Sequence, residues 1–285
     1  MNTSIQLRNI EEVLTARSTR DGDGVQLKRV FGGGDLSRFD PFLMLDEFGS
    51  DKPGDYIGGF PSHPHRGFET VSYMLEGKME HRDHMGNVGQ LGPGDVQWMK
   101  AGSGVIHSEM PKQEQGRMRG FQLWVNLPAN EKMTHPTYND IAADDIPVYK
   151  IGQVVIKSIA GKLRTTDIEL VGAVSGLTTD PAYLDLSFVE ADEIEILIPD
   201  EYTALVYVYE GSAYVGDSEY QLGKSKLARL STRGMLRIKA VATSRILLMT
   251  GKPIGEPIVQ SGPFVMNSLE EIQQAIKDYS EGTLV

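Results

Sequence analysis

Two short segments hold the residue types best suited to chemistry in this chain. Gly59-Phe60-Pro61-Ser62-His63-Pro64-His65-Arg66-Gly67-Phe68-Glu69 sets two imidazoles at alternate positions. Gly102-Ser103-Gly104-Val105-Ile106-His107-Ser108-Glu109 sets an imidazole and a carboxylate at alternate positions. Alternate side chains of an extended strand share one face. His63 and His65 therefore point the same way, and so do His107 and Glu109. If the two segments are neighbouring strands of one barrel, four ligands converge inside it. Three imidazoles and a carboxylate with open positions suit a first-row divalent metal, and related histidine–carboxylate sites hold Fe(II) for oxygen chemistry. Of the six histidines, none follows His135, so the histidine chemistry belongs to the first half.

The remaining polar residues near these segments carry less. Glu69 shares the parity of His63 and His65. It reads either as an alternative ligand or as a residue behind the ligands that orients a histidine or arginine. His81 and His84, in Glu80-His81-Arg82-Asp83-His84, lie near a turn and read as solvated loop residues. His135, between Thr134 and Pro136, reads as a surface residue. Phe31-Gly32-Gly33-Gly34 reads as a backbone turn rather than a phosphate loop, because no lysine–serine pair or helical pattern follows it.

The elements that must position the ligands are strands. Thr70-Val71-Ser72-Tyr73-Met74-Leu75 is rich in β-formers and stops at Glu76-Gly77. Gly86-Asn87 and Gly92-Pro93-Gly94-Asp95 mark turns, and Val96-Gln97-Trp98-Met99 and Phe121-Gln122-Leu123-Trp124-Val125 read as strands. Short strands separated by regular turns predict a barrel or sandwich. Pro128, Pro136 and Pro147 interrupt the pattern and predict a boundary, with domains at 1–135 and 136–285. A faint internal repeat links the halves, since Tyr73-Met74-Leu75-Glu76-Gly77 echoes Tyr207-Val208-Tyr209-Glu210-Gly211. Sliding one half on the other sets Leu197 and Pro199 opposite His63 and His65, Arg237 opposite His107, and Lys239 opposite Glu109. The second domain is therefore expected to be metal-free. At the end, Ser268-Leu269-Glu270-Glu271 forms a capping box, and Leu269, Ile272, Ile276 and Tyr279 recur at helical spacing. A helix over 268–280, packed through that stripe, is expected.

Composition narrows the function classes. A net charge of −11 disfavours direct nucleic-acid binding, which needs a basic footprint. With no cysteine, there are no disulfides, thiolate metal sites or cysteine nucleophile. The amino end shows no secretory pattern, and no apolar stretch reaches the ~18 residues of a membrane span. Cytoplasm is the default expectation.

His63-Pro64-His65-Arg66-Gly67-Phe68-Glu69-Thr70-Val71-Ser72-Tyr73 resembles the signature of the pirin family of bicupins. Pro93-Gly94-Asp95-Val96-Gln97-Trp98-Met99, His107-Ser108-Glu109-Met110-Pro111, Gln122-Leu123-Trp124-Val125-Asn126-Leu127-Pro128 and Gly262-Pro263-Phe264-Val265-Met266-Asn267 are similar to it too. The general cupin pattern fits less well. One extra residue precedes Gly77, Lys100 stands where proline is usual, two residues are added before His107, and Glu109 appears instead of a later asparagine. Those departures are themselves pirin-like. The resemblance implies an all-β fold of two cupin barrels facing each other, the second without metal, with a short C-terminal helix. It implies His63, His65, His107 and Glu109 as ligands, with Glu69 outside the ligand set. Phe60 and Gln122 match residues that face the metal cavity in pirins. Gln122 also alternates with Phe121 and Leu123, so a buried amide there needs a partner, either backbone or a substrate oxygen or metal-bound water.

The activity the resemblance implies is an iron-dependent dioxygenase acting on flavonols such as quercetin with O2, the metal being Fe(II) or another divalent first-row ion. Glu109 is the expected general base. The alternative is a metal-dependent regulator that binds a protein partner, such as a transcription factor or metabolic enzyme.

Overall fold

In the computed structural model, which describes residues 6–285, the alternating runs of the sequence become antiparallel strands arranged as two sheets in each half. In the first-half unit the smaller sheet has the order Phe60–His65, Val105–Pro111, Met79–Asp83, Val88–Leu91. The second-half unit repeats that order with Asp192–Leu197, Leu236–Ala240, Ser212–Val215, Leu222–Gly223. The larger sheets correspond as well. Val96–Lys100, Phe68–Glu76, Met118–Asn126, Phe42–Ser50 and Val25–Gly32 are adjacent in one. Lys226–Leu230, Thr203–Glu210, Ser244–Gly251, Ala182–Phe188 and Val154–Ala160 are adjacent in the other. This strand-for-strand match makes the repeat visible as a duplicated cupin architecture, and the fold is all-β with a single long helix, as expected. The glycine triplet is a backbone turn, with φ of 144°, 74° and 67° at Gly32, Gly33 and Gly34.

The chain does not divide by a single linear cut. One unit contains the residues up to Ala16 together with Asp144–Pro253, and the other contains Arg17–Ala143 together with Ile254–Val285. The expected domains, 1–135 and 136–285, therefore misplace both chain ends. The physical reason is edge pairing and burial. Ile10–Thr15 pairs antiparallel with Lys226–Leu230, capping an otherwise open edge of the second-half sheet. At the other end, the hairpin of Val259–Ser261 and Phe264–Met266 buries Phe264 and Met266 with Ile106, inside the first-half unit.

The helix spans Leu269–Glu281 with the expected capping box, in which Ser268 caps the Glu271 N–H and Glu271 reaches back. It packs within its own unit, as expected, but of the expected stripe only Ile272 is buried. Ile272 and Ala275 are buried with Phe264, Met266 and Leu284, whereas Leu269, Ile276 and Tyr279 are 64%, 46% and 43% exposed. The buried face is turned away from Leu269 and Ile276, toward the side carrying Asp278, which is ion-paired to Arg66 at 2.7 Å. Ala275 is small enough to bring the helix close, and Leu284 folds back after Gly282 to complete the cluster. Ile272→Ala should accordingly cost roughly 2–5 kcal/mol, and Leu269→Ala should stay within about 0.5 kcal/mol. Urea denaturation of both variants checks this, and equal losses would contradict the observed face.

Candidate metal centre

The smaller sheet of the first-half unit brings the chemistry together. Val105–Pro111 lies between Phe60–His65 and Met79–Asp83. Its register sets His107 opposite His63 on one side and Asp83 on the other. Glu109 stands opposite Phe60 and His81. Among the described residues, the ligand nitrogens of His63, His65 and His107 lie within 4.8 Å of one another. The His63 Nε2 is 3.0 Å from the His65 Nε2 and 2.9 Å from the His107 Nε2.

Hydrogen bonding decides which lone pairs are free. His63 Nδ1 is 2.8 Å from the Pro61 carbonyl, which can only accept, so Nδ1 carries the proton and Nε2 presents a bare lone pair. His107 Nδ1 is 2.7 Å from His81 Nε2, and with His107 Nδ1 as the donor in that contact His107 Nε2 presents its lone pair. Burial, with the neighbouring imidazoles adding to it, holds His65 and His107 well below the ordinary histidine range. Three imidazole nitrogens aimed at a common point are the donor set a divalent cation takes. The residues present fit a metal.

Glu109 is buried two residues beyond His107, on the same face of the strand. Its Oε1 accepts from Ser72 Oγ at 3.0 Å and from Gln122 Nε2 at a longer 3.5 Å. Its carboxylate lies outside the tight group formed by the three histidines. Phe60 and Gln122 both line a cavity of about 420 Å3 that reaches His63 and His65. Leu27, Met44, Phe48 and Trp124 make its apolar wall, and Arg29 forks onto Asp46 at 3.0 and 2.8 Å. That volume and mixed lining suit a small organic molecule.

Glu69 requires correction. The parity shared with His63 and His65 is broken at Gly67, whose φ of 91° turns the chain from one sheet into the other. On Phe68–Glu76, Phe68 and Ser72 face the site, with Phe68 5.1 Å from the His65 ring. Glu69 therefore points to the opposite face, where it accepts from Trp98 Nε1 at 3.0 Å, and burial pushes it up to about 7. It holds a tryptophan rather than a histidine. His81 also differs from expectation. It is 2% exposed, sits within Met79–Asp83 rather than in a turn, and backs His107. The signal was available in principle, since the turn begins after Asp83, but Glu80 and Arg82 made the stretch look solvated. His84 and His135 are exposed, as expected.

The Pirin family model matches residues 24–125, and the model of the pirin C-terminal cupin domain matches residues 183–285. The chain belongs to the pirin family. A protein of Pseudomonas aeruginosa, named provisionally as a quercetin 2,3-dioxygenase, is 52% identical over 97% of this chain and 98% of its own length. Human pirin is 39% identical, with 93% of this chain and 89% of the human protein covered. The crystal structure of a quercetin 2,3-dioxygenase from Acinetobacter baumannii superposes with a TM-score of 0.90 at 33% identity, covering 98% of this chain and 99% of that one.

As a pirin-family bicupin, the chain carries its histidine triad in one cupin unit alone. In the other, the positions facing inward are Ile194, Ile196, Leu236 and Ile238, all part of a continuous aliphatic core. The alignment that set Leu197, Arg237 and Lys239 at the ligand positions was one residue out of register, which flips side chains to the outer face. Leu197 is 46% exposed, and Arg237 pairs with Glu195 at 2.9 Å. The interior is filled by hydrocarbon instead. Among the described residues, no helix is long and apolar enough to cross a membrane.

Proposed function

We propose that this pirin-family chain is a metal-dependent dioxygenase that opens the central ring of flavonols such as quercetin. The stoichiometry is one flavonol and one O2 giving one ring-opened ester and one carbon monoxide. The observation that carries the reading is a triad of converging imidazoles, two of which, His63 and His65, stand on the wall of an aromatic-lined cavity rather than sealed in a closed site. The names of the Pseudomonas relative and the Acinetobacter structure support it. His63, His65 and His107 would hold the ion, with Glu109 proposed as the fourth ligand and Fe(II) as the metal. A bound divalent metal supplies Lewis-acid activation of a flavonol hydroxyl and access to oxygen chemistry.

The chain's own residues supply the rest. Glu109 accepts the flavonol 3-hydroxyl proton. Ser72 and Gln122 hold its Oε1, so the other oxygen is the one left both to meet the metal and to take that proton. Phe60 and Trp124 present aromatic surfaces to the flavonol rings, and the apolar wall excludes water around the reacting carbon. His81 fixes the ring of His107 from behind.

Two measurements bear on this. Elemental analysis of metal-saturated protein should find one tightly bound ion per chain, and two would contradict a metal-free second cupin unit. Anaerobic titration of the iron-loaded protein with quercetin should produce the long-wavelength absorption of a deprotonated flavonol, and should do so far more weakly in Glu109→Gln. An unchanged spectrum in the wild type would overturn the reading.

A further inference from the structure

His65 is the last residue of its strand, and Val105, its register partner, is the first of the next. Strand ends are where pairing frays, so a metal ligand in that position needs an anchor beyond the ladder. The C-terminal segment supplies one. Arg66, directly after His65 and 4% exposed, aims its guanidinium into that segment. It donates to Asp278 Oδ2 at 2.7 Å, to the Leu284 carbonyl at 3.3 Å and to the Ser103 carbonyl in the turn that leads into Val105. Its backbone is held as well, with the Arg66 N–H donating to the Pro263 carbonyl at 3.3 Å and the Val265 N–H donating to the Arg66 carbonyl at 3.1 Å.

Two glycines show how closely the segment is seated. A Cβ on Gly67 would come within 2.0 Å of the Val265 carbonyl oxygen, and one on Gly104 within 2.5 Å of the Leu284 carbonyl oxygen. The buried Lys132 closes the seam by donating to the carbonyls of Gly67 and Val265 at 2.7 and 3.1 Å. The tail therefore grips the exit of the strand bearing His63 and His65 and the entry of the strand bearing His107 and Glu109.

We infer that the C-terminal helix is a positioning element for the metal centre, and that Arg66 and Asp278 are its positioning residues. They act through the backbone of His65 and the 103–105 turn, without touching a ligand atom. The inference rests on the metal-site reading above, not on the flavonol chemistry. Displacing the helix would withdraw the Asp278 carboxylate from Arg66, the residue directly after His65.

The test uses Co(II) as a spectroscopic probe of the full chain. Asp278→Ala removes the carboxylate. Asp278→Asn keeps its shape and one acceptor, and serves where the alanine variant does not fold. Leu236→Ala, in the second-half core, is a control that lowers thermal stability without touching the tail. Residues that orient ligands typically alter metal affinity by about 10–100-fold. Asp278→Ala should weaken Co(II) binding at least about tenfold and shift the visible ligand-field bands. Asp278→Asn should show a smaller change in the same direction, and Leu236→Ala should leave affinity and bands as in the wild type. Wild-type bands and affinity in both Asp278 variants would overturn the inference, and so would an equal loss in Leu236→Ala. Failure of the wild type to bind Co(II) at all would instead overturn the metal-site reading beneath it.

Discussion

His63→Ala should strip the protein of most of its metal, while His135→Ala should leave loading unchanged. His63 is the hub of the triad, since its Nε2 faces both His65 Nε2 and His107 Nε2, and its Nδ1 is committed to Pro61. Removing it leaves two nitrogens and a carboxylate already engaged by Ser72. Residues that only orient ligands cost about 10–100-fold in affinity, so loss of a ligand should exceed about 100-fold. Competition against a chelator of known affinity reads this directly. The exposed His135 controls for the loss of an imidazole as such. Equal loading of His63→Ala and the wild type would mean that the triad is not where the ion binds.

Glu109→Gln should keep the metal and lose flavonol turnover. Glutamine preserves an oxygen at nearly the same place, and that oxygen can still accept from Ser72 and Gln122. It cannot take a proton. General-base catalysis is worth about 10²–10⁴-fold, so kcat should fall by at least about 100-fold with iron content near one per chain. The drop should appear in kcat rather than in KM, because the aromatic walls around Phe60 and Trp124 are untouched. A variant that turns over at the wild-type rate would remove Glu109 from the proton path.

Much of this was legible in the sequence, and the failures have physical causes. The period of two that set His63 with His65 and His107 with Glu109 holds along single strands, and within those strands the residues do share a face. It failed for Glu69 because Gly67 turns the chain between sheets and resets the alternation. It failed by one position in the second-half unit because turn glycines align the halves more loosely than inward-facing side chains do. His81 was hidden by its charged neighbours, although Glu80 is itself buried and paired with Lys112 at 2.8 Å. The capping box placed the helix correctly, and the apolar stripe named one buried contact, Ile272, but not the face around it. The other deciding contacts are a small buried alanine at 275 and the Arg66–Asp278 ion pair, neither of which stands out in a stripe of large apolar residues. The placement of Ile10–Thr15 beside Lys226–Leu230 is a pairing between distant segments that no local pattern encodes.

The most direct test of the central claim is turnover of quercetin by iron-loaded protein, followed as O2 consumed and carbon monoxide released in the same vessel. Equimolar O2 uptake and carbon monoxide release, well above the rate with free iron and nearly abolished in Glu109→Gln, is the predicted result. No turnover above free iron, with Glu109→Gln altering only the affinity for a protein partner, would contradict the dioxygenase assignment and leave a metal-dependent regulator in its place.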